Sequence, residues 1–167
     1  SYSLTDGFKL RDYQEVAEAS ILGFLRTATV ANSNILLTAK TGSGKSYMLS
    51  SVLQKLGLKA LFLSHLSMLS TQLHKELSAN TTADVRILSS ANMGLGDINI
   101  CTFQLLHSNK ELLDVVANNC SVLVVDETEN IASTSRLAVL YALKTKVNIF
   151  VSATPTRELV QRTGLIE

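Results

Sequence analysis

The sequence predicts an α/β domain in three layers, with a central, mainly parallel sheet covered by helices on both faces. Three observations predict it. Short β-branched and aliphatic runs alternate with longer segments of helical period, the pattern of βα units stacked side by side. Several runs are apolar at successive positions, as strands covered on both faces are, not alternating as half-exposed strands would be. The chain has 167 residues, 46% of them hydrophobic, enough to bury one substantial core in a single domain.

Taken in order, the first predicted helix covers residues 11–26, where Val16, Ala19, Ile21, Leu22 and Leu25 gather at spacings near three and four. The run 35–38 is the first strand, and 46–56 is a helix that Gly57 can end in a left-handed conformation. A strand at 60–63 and a helix at 67–77 follow, then strands at 85–88 and 98–101 on either side of a loop at 89–96 containing Asn92, Gly94 and Gly96. A helix at 110–118 is expected to end on Asn118 and Asn119 in the manner of Gly57. A strand at 122–125, a helix at 134–144 and a strand at 147–151 complete the series. No internal repeat or low-complexity segment interrupts it. Residues 1–167 read as one domain, and ends at Ser1 and Glu167 read as cuts in a longer protein.

Composition narrows the possible functions. Fifteen Lys and Arg against fourteen Asp and Glu give a formal net charge of +1, so no overall basic field is available to hold a phosphate backbone and any nucleic-acid contact must be local. Cys101 and Cys120 are the only cysteines, in neither a C-x-x-C pair nor metal-ligand spacing with His, and they read as small core residues. Met48 and Leu49 read as core too, and His74 as a surface residue. No apolar run approaches the roughly 20 residues needed to cross a bilayer, and the N-terminus lacks the form of a secretion signal. The expected setting is intracellular and soluble.

The chemistry is concentrated at strand ends. The strand at 35–38 runs through Ala39 into Lys40-Thr41-Gly42-Ser43-Gly44-Lys45-Ser46 and then a helix, the strand-loop-helix context of a phosphate-binding loop. Gly42 and Gly44 let the backbone turn its N–H groups around phosphate oxygens, and the following helix adds its positive end. Lys45 is placed to reach terminal phosphates and Ser46 to ligate magnesium. Ala39 stands where the strict G-x-x-x-x-G-K-[ST] pattern has its first glycine. The strand at 122–125 ends in Asp126-Glu127-Thr128-Glu129, which puts carboxylates at the carboxyl end of an apolar strand, where open parallel sheets bind ligands. Asp126 can hold magnesium and Glu127 can orient and deprotonate an attacking water. Each element has a plainer explanation in isolation, a polar turn or an acidic helix cap; together they converge on one phosphate.

In the order of these motifs, nearly the whole chain resembles the N-terminal, ATP-binding RecA-like domain of superfamily 2 helicases, a P-loop NTPase fold. Phe8 and Leu10-Arg11-Asp12-Tyr13-Gln14 resemble the element that precedes the phosphate loop, in which Gln14 would read adenine. The acidic tetrad resembles motif II. Residues 65–72, with Leu69 and Gln72, resemble motif Ia; residues 98–106, with Thr102 and Gln104, resemble the strand leading to motif Ib; Ser152-Ala153-Thr154-Pro155 matches motif III. The resemblance implies ATP and magnesium as cofactors, with Gln14, Thr41, Gly42, Ser43, Gly44, Lys45 and Ser46 holding nucleotide, Ser46 and Asp126 the metal, and Lys45, Asp126 and Glu127 catalytic. It implies that Ser152 and Thr154 relay nucleotide state through Glu129, and that Ser64, His65, Gln72, Thr102 and Gln104 lie toward a DNA or RNA strand.

The sequence departs from the family at Thr128 and Glu129 in motif II, which leaves the subfamily open, and at His65 and Ser67 in motif Ia, where Pro and Arg are usual. A viral helicase would suit the loosely kept motifs, as would a divergent cellular one. The expected activity is an ATP-dependent helicase or translocase motor that works with a second RecA-like domain of the same parent chain, so that this portion alone would be weakly active. The alternative is a regulatory module that binds nucleotide with reduced catalysis.

Overall fold

The computed structural model describes residues 2–27, 33–38, 45–64, 67–126, 134–143 and 145–152. The order of elements is α1 (Asp12–Thr27), β1 (Ser33–Thr38), α2 (Lys45–Leu56), β2 (Ala60–Ser64), α3 (Ser67–Asn80), β3 (Val85–Ile87), β4 (Ile98–Thr102), α4 (Phe103–Ser108), α5 (Lys110–Asn119), β5 (Val122–Val125), α6 (Thr134–Leu143) and β6 (Val147–Ser152). The strands form one six-stranded sheet in the order β1-β6-β5-β2-β4-β3. Every neighbouring pair is parallel.

Apolar residues at successive strand positions divide between the two faces, because alternate side chains of a strand point to opposite sides. In β5, Val122 and Val124 join the core that also holds Ile21 of α1, Val52 of α2 and Leu77 of α3. Leu123 and Val125 join the core on the other face, with Leu106 of α4, Leu112 and Val116 of α5, and Leu143 of α6. All four β5 side chains are buried. Fully buried leucines such as Leu61, Leu63 and Leu123 each stabilise the fold by an amount whose loss, on truncation to Ala, is about 2–5 kcal/mol. Cys101 and Cys120 are buried in the second of these cores and Met48 and Leu49 in the first, as expected of core residues.

Gly57 follows α2 with φ +66°, and its N–H donates to the Leu53 carbonyl at 3.0 Å. Here the left-handed ending is realised. At the end of α5 it is not: Asn118 and Asn119 stay in the helix, and Cys120 ends it in an extended conformation with its N–H on the Val116 carbonyl. Asn119 instead turns its side-chain amide onto the Val115 carbonyl at 2.7 Å.

Three further expectations change. The buried side of α1 keeps Ile21, Leu22 and Leu25 of the predicted face, which pack into the core, but not Ala19, which is exposed, or Val16, which is 67% exposed; Gln14 and Glu18, at 5% and 6% exposed, extend it instead. The reason is that Glu18 pairs with Lys55 of α2, so the helix turns a charged group inward toward a partner. His74 is half-buried, not on the surface, because its Nε2 donates to the Val85 carbonyl at 2.9 Å and ties α3 to β3. Finally, α4 forms where no helix is expected; Thr102 caps it, its hydroxyl accepting the Leu105 N–H at 3.2 Å, while Phe103 and Leu106 bury its inner side.

Candidate nucleotide site

The site lies along the carboxyl edge of the sheet. Since all pairs are parallel, β1, β6, β5, β2 and β4 end on this edge, and their register aligns Thr38 with Ser152, Val125 with both Leu63 and Phe150, and Ser64 with Thr102. Asp126 is the first residue beyond β5. Its backbone N–H donates to the Leu63 carbonyl at 3.0 Å, so β2 sets where the carboxylate stands.

Lys45 and Ser46 begin α2, the element that follows β1 in the chain. Lys45 Nζ donates to Asp126 Oδ1 at 2.6 Å, with each side chain 25% exposed. Ser46 Oγ donates to Glu76 Oε2 of α3 at 2.5 Å. Lys45, Ser46 and Asp126 rim an open recess floored by Leu49, Phe62 and Val124. The apolar floor strengthens charge interactions above it.

The residues present fit a magnesium ion. A serine hydroxyl and an aspartate carboxylate are the hard oxygen donors this cation takes. Ser46 gives its one proton to Glu76, which leaves its lone pairs for a cation.

The segment before α1 is fastened to the same helix. Phe8 stacks on Tyr47, ring centroids 4.1 Å apart and planes 10° from parallel, while the Tyr47 hydroxyl accepts the Lys9 N–H at 2.8 Å. Gln14 reaches back so that its Oε1 accepts the Arg11 N–H at 2.9 Å, the return half of a capping box. This brings the candidate adenine reader into the element that packs against the phosphate helix, and an adenine contact through Oε1 must share or exchange that cap bond.

Several expected residues fall outside the described ones: Thr41, Gly42, Ser43, Gly44, His65, Glu127, Glu129 and Thr154. Ser152 ends β6 beside Thr38. Of the residues assigned toward a strand, Gln72 and Gln104 are exposed, and Thr102 has its hydroxyl oxygen engaged in capping α4. Ser64, at the end of β2, is only 5% exposed. Sequence reasoning missed Glu76 and Tyr47. A single acid on a helix looks like a solvated one, and the aromatic directly after Ser46 looks like core; the one available signal was Tyr47 lying two residues from the phosphate-loop lysine.

The arrangement defines a class: the N-terminal, ATP-binding RecA-like domain of a superfamily 2 helicase. More particularly, residues 7–157 match the family described as Type III restriction enzyme, res subunit, and the chain belongs to that family, one of ATP-dependent nucleic-acid motors. No curated protein sequence matches it. Among solved structures, it is similar to the Sulfolobus solfataricus SWI2/SNF2 ATPase core in complex with dsDNA, with 23% identity, a TM-score of 0.76, and coverage of 88% of this chain and 32% of that one. It is similar to the Pyrococcus furiosus Hef helicase domain, with 18% identity, a TM-score of 0.77, and coverage of 99% and 38%. It is also similar to the UvsW helicase from bacteriophage T4, with 14% identity, a TM-score of 0.71, and coverage of 98% and 61%. At these identities the likeness is one of fold, and this chain spans less than two thirds of each of those chains. No described helix is long and apolar enough to cross a membrane.

Proposed function

We propose that this domain binds Mg–ATP at the recess between α2 and β5 and couples its hydrolysis to movement along, or remodelling of, a DNA or RNA strand. The observation that carries the reading is the meeting of Lys45, Ser46 and Asp126 on one rim, with Lys45 Nζ 2.6 Å from Asp126 Oδ1. Lysine, hydroxyl and carboxylate in that relation are the parts that hold and neutralise a triphosphate in phosphate-loop enzymes.

On nucleotide binding, Lys45 exchanges Asp126 for phosphate oxygens, and Asp126 and Ser46 turn to the cation. Magnesium, when bound, withdraws negative charge from the phosphates. Glu127, next along the chain, is assigned the proton of the attacking water. Thr41, Gly42, Ser43 and Gly44 are assigned to the phosphates and Gln14 to adenine. Ser152 and Thr154, acting with Glu129, are assigned the relay to the strand. The S. solfataricus ATPase core of similar fold is in complex with dsDNA, which supports nucleic acid as the partner here. Gln72 and Gln104, exposed on α3 and α4, are the polar groups presented to it. A second RecA-like domain of the parent protein, and an arginine it contributes, complete the catalytic site.

The test is ATP hydrolysis by the full-length protein with and without single-stranded DNA and RNA, at low and moderate salt, with Glu127→Gln as control. Stimulation by one nucleic acid that the variant loses establishes the motor and its substrate class together. Measurable ATP binding with no turnover under any condition shifts the assignment to a regulatory nucleotide-binding module.

A further inference from the structure

Glu76 has no part in the phosphate loop, in the acidic strand end or in any motif that points to the site, yet its carboxylate bridges two of them. Oε2 accepts the proton of Ser46 Oγ at 2.5 Å, and Oε1 accepts from Gln72 Nε2 at 3.2 Å. Gln72 and Glu76 are one turn apart on α3, so the amide holds the carboxylate in the rotamer that reaches α2. We propose that Glu76 is a positioning residue that fixes the Ser46 hydroxyl for magnesium and ties that hydroxyl to Gln72 on the strand-facing helix.

The chemistry follows from the inventory of a hydroxyl. Ser46 has one donor hydrogen and two lone pairs. Without a fixed acceptor, the hydrogen rotates and can point at an incoming cation. With its proton held by an anionic carboxylate, Ser46 turns only lone pairs toward the metal, and the donated bond makes the oxygen a better ligand. An outer carboxylate of this kind orients a metal ligand and typically accounts for 10–100-fold in metal affinity. Gln72 adds the second half. Whatever reorients its amide, a nucleic-acid strand included, changes the support under Glu76 and so the metal at Ser46; by linkage, metal and nucleotide bias Gln72 in return. This inference rests on the nucleotide site proposed above.

The experiment measures binding of a non-hydrolysable fluorescent ATP analogue to the full-length protein as a function of magnesium concentration, with the magnesium-free affinity as reference. Glu76→Gln is expected to raise the half-saturating magnesium about tenfold while leaving the magnesium-free affinity within about twofold. In a Ser46→Ala background the same substitution should have no further effect, because Glu76 acts through that hydroxyl; a merely structural role would give equal shifts in both backgrounds. Gln72→Ala, at an exposed position that does not endanger folding, should shift the magnesium requirement the same way by about threefold, a fraction of the Glu76 effect. Wild-type magnesium dependence in Glu76→Gln, or an equal shift with and without Ser46, overturns the assignment. If the unmodified protein binds no analogue at all, the nucleotide-site reading fails and this inference fails with it, an outcome distinct from the preceding one.

Discussion

Lys45 Nζ lies 2.6 Å from Asp126 Oδ1 although 81 positions separate them in the chain, and the pair closes the recess at its charged rim. The lysine that is to meet phosphate is thus held by a carboxylate already facing that spot. Lys45→Ala is expected to abolish nucleotide binding. Asp126→Asn should keep weak magnesium-free binding and lose the magnesium-dependent gain. Each should also lower stability, by roughly 1–3 kcal/mol, because the pair is three-quarters buried and the substitution removes its ion pair. Nucleotide titration and urea unfolding read the two effects separately; ATP affinity within about threefold of wild type in Lys45→Ala would falsify the role given to it.

The stacked pair Phe8 and Tyr47 predicts base selectivity. Tyr47→Ala removes both the stack and the hydroxyl that accepts the Lys9 N–H, which frees the segment leading into Gln14. Adenine preference should narrow toward indifference between ATP and GTP in this variant and in Gln14→Ala. Competition binding with the two nucleotides checks it, and unchanged discrimination in Gln14→Ala removes the adenine assignment.

Burial of the two thiols predicts their chemistry. Burial pushes Cys101 strongly upward, and pushes Cys120 from the ordinary 9.0 to about 11, against a small opposing pull from Lys59. A thiolate is the reactive form, so neither should be alkylated in the native protein at pH 8, and both should react after unfolding. The sign of the stability effect follows: a raised folded-state value favours the folded protein fully below the ordinary value, and the advantage declines as pH rises from about 9 through about 11 for Cys120. Urea midpoints across that window should fall less steeply in Cys120→Ala. Rapid labelling of the folded protein would contradict this placement of the thiols.

Gly96 is predicted to tolerate no side chain. A Cβ there would sit 2.5 Å from the Asp84 carbonyl oxygen, the atom that accepts the Asp97 and Ile98 N–H groups at the start of β4. Gly96→Ala should cost roughly 1–3 kcal/mol, against little for an alanine at Gly23, which meets nothing within 4 Å apart from its own helix backbone and chain neighbours. Thermal melts of the two variants compare them directly.

What sequence made legible was whatever depended on local pattern. The run 122–125 is the observed β5 without adjustment, and the other strands shift by a residue or two, because consecutive aliphatic residues between turn signals have few other uses. The convergence of Lys45, Ser46 and Asp126 was legible because parallel strands must end on a common edge. The order of strands was not, since nothing local says that β6 inserts between β1 and β5. The inward face of α1 was legible in Ile21, Leu22 and Leu25 but not in Glu18, whose burial depends on a partner on another helix, Lys55. Glu76 escaped for the same reason: its meaning lies in Ser46, thirty positions away. Helix α4 escaped because six residues carry too little periodicity to register.

The place of β1 at the margin of the sheet governs when the molecule can assemble. Its one sheet neighbour among the described residues is β6, with Ser33 opposite Val147. Because β6 follows the other five strands in the chain, β1 can complete its ladder only once β6 is available. Contacts so distant in sequence are slow to form, so the pairing that places the phosphate-loop strand is expected to be among the slower steps of folding. A nascent chain stalled before Val147 would carry an aliphatic strand with bare backbone, a natural target for chaperones.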